Sequence, residues 1–183
     1  MHRRPITKLL ATYLAENPQE ADVANRFIEF VNAHPDCFER SLQVGHVTGS
    51  AWVVNAAGTH VLLTHHKKLN KWFQLGGHAD GEVDILKAAL TEVAEESGLA
   101  VFEPISKDIF DIDIHAIPIR GEEPEHFHYD VRFTVKSTGS DEYVVSEESL
   151  DLSWVNIENL AEYTQEESML RMGRKWLRKP KLA

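Results

Sequence analysis

Cysteine is almost missing from the 183-residue chain: Cys37 stands alone. An intramolecular disulfide is therefore excluded, and so is a structural zinc site built on thiolates. No apolar run approaches the roughly 18 residues a membrane-spanning helix requires. The basic start, Met1-His2-Arg3-Arg4, leads into Ile6-Thr7-Lys8-Leu9-Leu10 without the unbroken apolar stretch or small-residue cleavage site of a secretory leader. Positive charge is in deficit, with 19 Lys and Arg against 29 Asp and Glu and a net charge of -10. Such a surface repels a nucleic-acid backbone, so duplex binding is not expected. The expectation is a cytoplasmic, reduced protein with no membrane segment. If it acts on a phosphorylated small molecule, a cation must stand between its carboxylates and the phosphates.

What the sequence does contain is a change of period. Ile6, Leu9, Leu10, Tyr13 and Leu14 fall at helical spacing, as do Ala24, Phe27, Ile28 and Val31. Asn17 can cap, Pro18 suits a first helical position, Glu20 sits where a capping-box acid reaches back, and His34-Pro35 ends the second helix. From His46 the pattern becomes β, with Val47–Asn55 and Val61–Thr64 joined at Ala56-Ala57-Gly58. A glycine-rich loop, Gly76 to Gly81, precedes a helix over Asp84–Ser97 that Gly98 should close. Further strands are expected at about 101–104, 109–119, 127–136 and 151–156, then an amphipathic helix carrying Met169, Met172, Gly173 and Trp176. Strands on both sides of an internal helix predict an α/β or α+β layered domain. The division expected is a helical extension over 1–42 and a main domain over 43–183. The paired apolar stripes of the extension must be covered, by the main domain or by a homodimer contact.

The chemistry concentrates on the internal helix. Leu86, Ala89, Leu90 and Val93 make its apolar stripe, while Glu92, Glu95 and Glu96 converge from adjacent turns on another face. Like charges at this spacing repel by a few tenths of a kcal/mol per pair, so a cation is expected to offset them. A hard divalent ion takes oxygen ligands and keeps sites open for phosphate oxygens and water. A solvated acidic face is the plain alternative for the helix taken alone. Immediately upstream, Gly76-Gly77-His78-Ala79-Asp80-Gly81-Glu82 supplies three glycines that let backbone approach a ligand.

These residues resemble the signature of the Nudix hydrolases, Gly-x5-Glu-x7-Arg-Glu-U-x-Glu-Glu-x-Gly-U, with U bulky and apolar. Thr91-Glu92-Val93-Ala94-Glu95-Glu96-Ser97-Gly98-Leu99 matches the second half except that Thr91 replaces the arginine. Gly76 and Glu82 have the spacing of the first half, with eight residues instead of seven before Thr91. Counting back from Thr91 selects Gly77 and Val83 instead; Glu82 is preferred, with one extra residue in the loop. The resemblance implies an α/β/α sandwich with a mixed sheet behind the N-terminal helical pair. It also implies a pyrophosphohydrolase using Mg²⁺ or Mn²⁺, with Glu92, Glu95 and Glu96 ligating the metal and Glu82 supporting the loop or the water. The family arginine orients the glutamates by ion pairing, which a threonine cannot do. Lys71 and Arg132 are candidate substitutes.

Strand alternation places His126, His128 and Asp130 on one face against Phe127, Tyr129 and Val131, and sets Asp111, Asp113 and His115 in the same way. With His78, Gly76 and Gly77 these histidines are candidates for substrate binding; a second, histidine-rich metal site and simple surface exposure remain open. Glu147 and Glu148 are candidates for a further base or ligand, or an ordinary acidic helix start. The basic group Arg171, Arg174, Lys175, Arg178 and Lys179 complements a helix C-terminus. The function expected is cleavage of a diphosphate in a nucleoside diphosphate linked to another moiety. Two alternatives stay open, a Nudix module that binds a nucleotide-like ligand without turnover and an isoprenoid-diphosphate isomerase. The isomerase is disfavoured because Cys37 lies far from the glycine loop.

Overall fold

The computed structural model describes residues 2–67, 69–119, 121, 124–147 and 149–178. Glu148 and Lys179 lie outside them. Twelve regular elements follow one another: α1 Arg4–Glu16, α2 Ala21–Ala33, β1 Gly45–Val54, β2 His60–His66, β3 Lys71–Phe73, β4 Leu75–His78, α3 Ile85–Ser97, β5 Phe102–Pro104, β6 Asp111–Ile117, β7 His126–Ser137, β8 Ser149–Asn156 and α4 Glu167–Arg178. Backbone pairing runs β3-β2-β1-β7-β5, with β4 on β1, β6 on β7 and β8 on β2. The architecture is α+β, as the alternation of periods predicts. The stretch Gly76 to Gly81, expected as a loop, is strand as far as His78.

Contacts divide the described residues into two compact units, one within 1–50, 77–89 and 107–133 and the other within 51–76, 90–106 and 134–183. In the first unit, the stripes of α1 and α2 bury Ile6, Leu10, Tyr13, Ala24, Phe27, Phe30 and Val31 in one core with Ile112, Tyr129, Val131 and Phe133. Phe30 stacks on Tyr129 with ring centroids 3.7 Å apart, and Phe27 meets the same ring edge-on at 5.3 Å. Strand β6 pairs antiparallel with β7, setting His115 opposite His128 and Asp113 opposite Asp130. The turn between α1 and α2 differs from the expected capping box. Asn17 donates back to the Tyr13 carbonyl, and Glu20 accepts from the Tyr13 hydroxyl at 2.5 Å. A buried tyrosine hydroxyl needs a partner, and Glu20 meets that need before it can serve a helix terminus.

Gly49 lets α3 come close to β1. A Cβ there would stand 3.0 Å from the Ile85 carbonyl oxygen and 3.1 Å from the Ala89 nitrogen. Along α3, Ile85, Ala88, Ala89 and Val93 are buried, and Leu86 and Leu90 pack at the margins. The helix contributes Ile85–Ala89 to the first unit and its remaining residues to the second.

The second unit has its own core of Ala51, Val53, Leu62, Leu75, Val93, Leu99, Val135 and Leu152. Strand β2 is paired antiparallel with β3 and, over most of its length, with β8. Gly98 closes α3 in the left-handed region at φ 62°, its N–H donating to the Ala94 carbonyl at 3.1 Å. Only glycine takes that conformation without strain. Helix α4 buries Met169, Met172, Gly173 and Trp176, as its periodicity predicts.

Candidate active site: a glutamate helix and a histidine cluster

Glu92, Glu95 and Glu96 project from α3 at positions i, i+3 and i+4. Glu92 and Glu96 are half-buried and Glu95 is exposed. One carboxylate has a fixed anchor: Glu96 Oε2 accepts the Gly76 backbone N–H at 2.9 Å. That bond ties the end of the glutamate helix to β4 and holds one acid in a defined place. The donor set is all oxygen, partly open to solvent and formally triply negative, which fits a hard divalent cation. Thr91 is exposed on the same helix.

Neither proposed substitute for the motif arginine is uncommitted. Lys71 pairs with Glu166. Arg132 is buried among three carboxylates, with Nε 2.7 Å from Asp130, Nη1 3.1 Å from Asp111 and Nη2 3.5 Å from Asp113. Burial alone would favour its neutral form, but Asp130, Asp111 and Asp113 outweigh this and hold the guanidinium charged, above its ordinary value. The hydroxyls of Thr48 and Ser50 also donate to Asp130, at 2.9 and 2.6 Å. Arg132 is thus the centre of an ionic network in the first unit. Replacing it with methionine leaves buried acids uncompensated and is expected to lower stability by about 3–5 kcal/mol, read as a lower denaturant midpoint. A midpoint unchanged from wild type would contradict the network's role.

Because Thr91 stands four residues before Glu95, Thr91→Arg creates an i,i+4 ion pair worth about 0.3–0.5 kcal/mol. The expected result is a roughly twofold gain in metal affinity or kcat, measured by metal titration of turnover. No change in either would show that another group already orients the acids.

Glu82 occupies a supporting position. It accepts the Asp84 N–H at 3.0 Å and the Lys87 ammonium at 2.5 Å, at the start of α3. The Lys87 hydrogen bond, then the Asp84 N–H, holds its carboxyl below the usual range. The turn before it is tied to the segment after α2. Arg40 grips Asp80 with two guanidinium nitrogens, and the Gly81 N–H donates to the Phe38 carbonyl at 3.0 Å. Glu147 is exposed.

The predicted histidines gather in the first unit, around one that sequence reasoning passed over as a mere strand start. His46 lies in β1 with its ring centroid 5.0 Å from His78, 5.1 Å from His126 and 4.8 Å from His128. His115 is more exposed, 5.5 Å from His128 and beside Asp113. The missed signal is the alternation of His46, Thr48 and Ser50. It marks a polar strand face, and the Thr48 and Ser50 bonds to Asp130 join that face to the polar face of β7. Burial, then His78 and His126, lowers the His46 ring to about 4. Burial, then His46 and His78, pushes His128 well below the ordinary imidazole value. Both rings are neutral at pH 7, which weakens the reading of them as cations attracting phosphate. Cys37 is buried in the same unit, and burial pushes its thiol up to about 11, so it is not the activated thiol an isomerase would need.

A family model for the NUDIX domain matches residues 45–176. The chain belongs to the Nudix family. It is accordingly a pyrophosphohydrolase in the general sense, of a family that acts on small phosphorylated substrates and generally uses divalent metals. Among solved structures, a NUDIX-family hydrolase from Clostridium perfringens is 25% identical with a TM-score of 0.50, covering 72% of this chain and 95% of its own. An Ap4A hydrolase of C. elegans, in a binary complex, is 18% identical with a TM-score of 0.52, over 72% of this chain and 94% of that one. The dihydroneopterin triphosphate pyrophosphohydrolase of E. coli is 13% identical with a TM-score of 0.56, over 73% and 96%. The last two establish likeness of fold, a mixed sheet with helices; α1 and α2 precede the residues that the family model matches. No curated protein sequence matches the chain. Among the described residues, no helix is long and apolar enough to cross a membrane.

Proposed function

We propose that this Nudix enzyme hydrolyses the diphosphate linkage of a nucleoside diphosphate joined to another moiety, in the cytoplasm, with Mg²⁺ or Mn²⁺ held by Glu92, Glu95 and Glu96. The observation that carries the reading is the α3 carboxylate set with its Glu96 anchor on the Gly76 N–H. A divalent ion bound there would polarise phosphoryl oxygens and make a bound water more acidic. Around it, each residue has a separate task. Glu96 keeps its carboxylate fixed through the Gly76 bond, which removes reorganisation that the reaction would otherwise require. Glu95, exposed and without the Gly76 tie, is suited to accept a proton from the attacking water. Glu82 fixes the start of α3 through Asp84 and Lys87.

The net charge of -10 favours a substrate whose phosphates arrive neutralised by the cation. The test is a panel of nucleotide sugars, ADP-ribose, dinucleoside polyphosphates and nucleoside triphosphates, each with Mg²⁺ and with Mn²⁺. Release of a nucleoside monophosphate from a nucleotide sugar or ADP-ribose, faster than any triphosphate is cut, is the expected result. Turnover confined to triphosphates would overturn the proposed substrate class and leave the family assignment in place.

A further inference from the structure

We propose that His46, His78 and His128 form a transition-metal site of the Zn²⁺ class, different in donor chemistry from the carboxylates of α3. One ligand atom from each of the three rings lies within 4.8 Å of the others. They come from three strands, β1, β4 and β7. It is the one such convergence of three ligating side chains found among the described residues. A tetrahedral ion with metal–nitrogen distances of about 2.0–2.1 Å sets its ligands about 3.3 Å apart, so small ring movements close the set.

The second observation is His46. It is only 2% exposed, and neither of its ring nitrogens has a hydrogen-bond partner among the described residues. A buried polar group without a partner costs about 1–3 kcal/mol. Its neighbours in the cluster offer rings instead of carbonyls or carboxylates, and a metal ion satisfies one lone pair on each ring at once. The nearby acids are engaged otherwise, Asp80 with Arg40 and Asp130 with Arg132, Thr48 and Ser50.

His126 supplies orientation. Its Nδ1 meets the Pro124 carbonyl at 2.9 Å, and a carbonyl can only accept, so the proton resides on Nδ1. The Nε2 lone pair then faces His128, whose Nε2 is 3.3 Å away. Ligating histidines are commonly held by such an outer contact. Solvent reaches this edge through an open depression of about 430 Å³ lined by Gln43, Val44, Pro124, Glu125, His126 and Phe127. Three imidazoles suit Zn²⁺, Co²⁺, Ni²⁺ or Cu²⁺ and not Mg²⁺ or Ca²⁺. With three protein ligands, the fourth position is left for water or an anion.

The test strips the full chain with a chelator and titrates it with Co²⁺, whose visible absorption is intense in four-coordinate nitrogen sites and faint in octahedral oxygen sites. One equivalent should give the intense band, and Zn²⁺ should abolish it by displacement. His78→Ala, at a half-buried position, and His128→Gln should each lose the band and weaken Zn²⁺ binding at least about a hundredfold, with circular dichroism unchanged. His46→Ala should match them. Glu95→Gln with Glu96→Gln should keep the band, since those acids belong to the other donor set. A faint band removed by the glutamate changes, no binding at all, or Zn²⁺ affinity unaltered in His78→Ala and His128→Gln would each overturn the site. Because the readout is metal binding, its failure leaves the hydrolase reading intact.

Discussion

Glu96→Gln is expected to lower kcat by at least about a hundredfold, the scale of a lost transition-state electrostatic contact, while leaving the melting temperature unchanged or slightly raised. The two halves of that expectation come from different atoms. Glutamine retains a carbonyl oxygen, so the 2.9 Å bond from the Gly76 N–H can persist and the helix stays tied to β4. What disappears is one negative charge from a trio at i, i+3 and i+4, and with it a repulsion of a few tenths of a kcal/mol per pair. Glu95→Gln, at the exposed position, should behave likewise. Stability conserved while turnover collapses is the signature of a charge kept for function. Near-normal kcat in both variants, on a substrate that wild type cleaves, would remove α3 from the chemistry.

The largest structural effect is expected from deletion of residues 1–42. Without the preceding helices, Tyr129 loses its stacking partner Phe30 and its edge contact with Phe27. Ile112, Val131 and Phe133 are left with much of their shared core removed. Fully burying a large apolar side chain contributes about 1.5–3 kcal/mol, and seven buried residues of α1 and α2 leave together. That sum reaches the whole stability of an ordinary domain, about 5–15 kcal/mol. The deletion also removes Phe38 and Arg40, which hold the turn at Asp80 and Gly81. The shortened protein should aggregate or melt without a cooperative transition in calorimetry. A soluble, monomeric product that melts like wild type would show that these helices are an appendage.

Where one residue type determines geometry, the sequence was easy to read. Gly98 ends α3 because the left-handed turn there admits glycine, and Leu86, Ala89, Leu90 and Val93 mark the side that α3 packs. The glutamate spacing needs only a helix to bring the acids together, and the helix is where the pattern puts it. Readings that depended on a distant partner fared differently. Glu20 had the spacing of a capping acid, yet Tyr13 claims it. Arg132 looked available to the glutamates, yet three aspartates enclose it. His46 gave no signal by itself. Its meaning comes from Thr48 and Ser50 reaching Asp130 on β7, a pairing that no local pattern specifies.

The central claim, that the α3 carboxylates run a cation-dependent cleavage of a diphosphate, is tested most directly by phosphorus-31 NMR of one reaction. The chelator-stripped chain is mixed with ADP-ribose or a nucleotide sugar, and Mg²⁺ is then added. The account predicts that the diphosphate resonances persist before the cation and give way to two phosphomonoester resonances after it. With Glu95→Gln and Glu96→Gln combined they should persist throughout. Cleavage at the same rate without the cation, or undiminished in the doubly substituted chain, would contradict it.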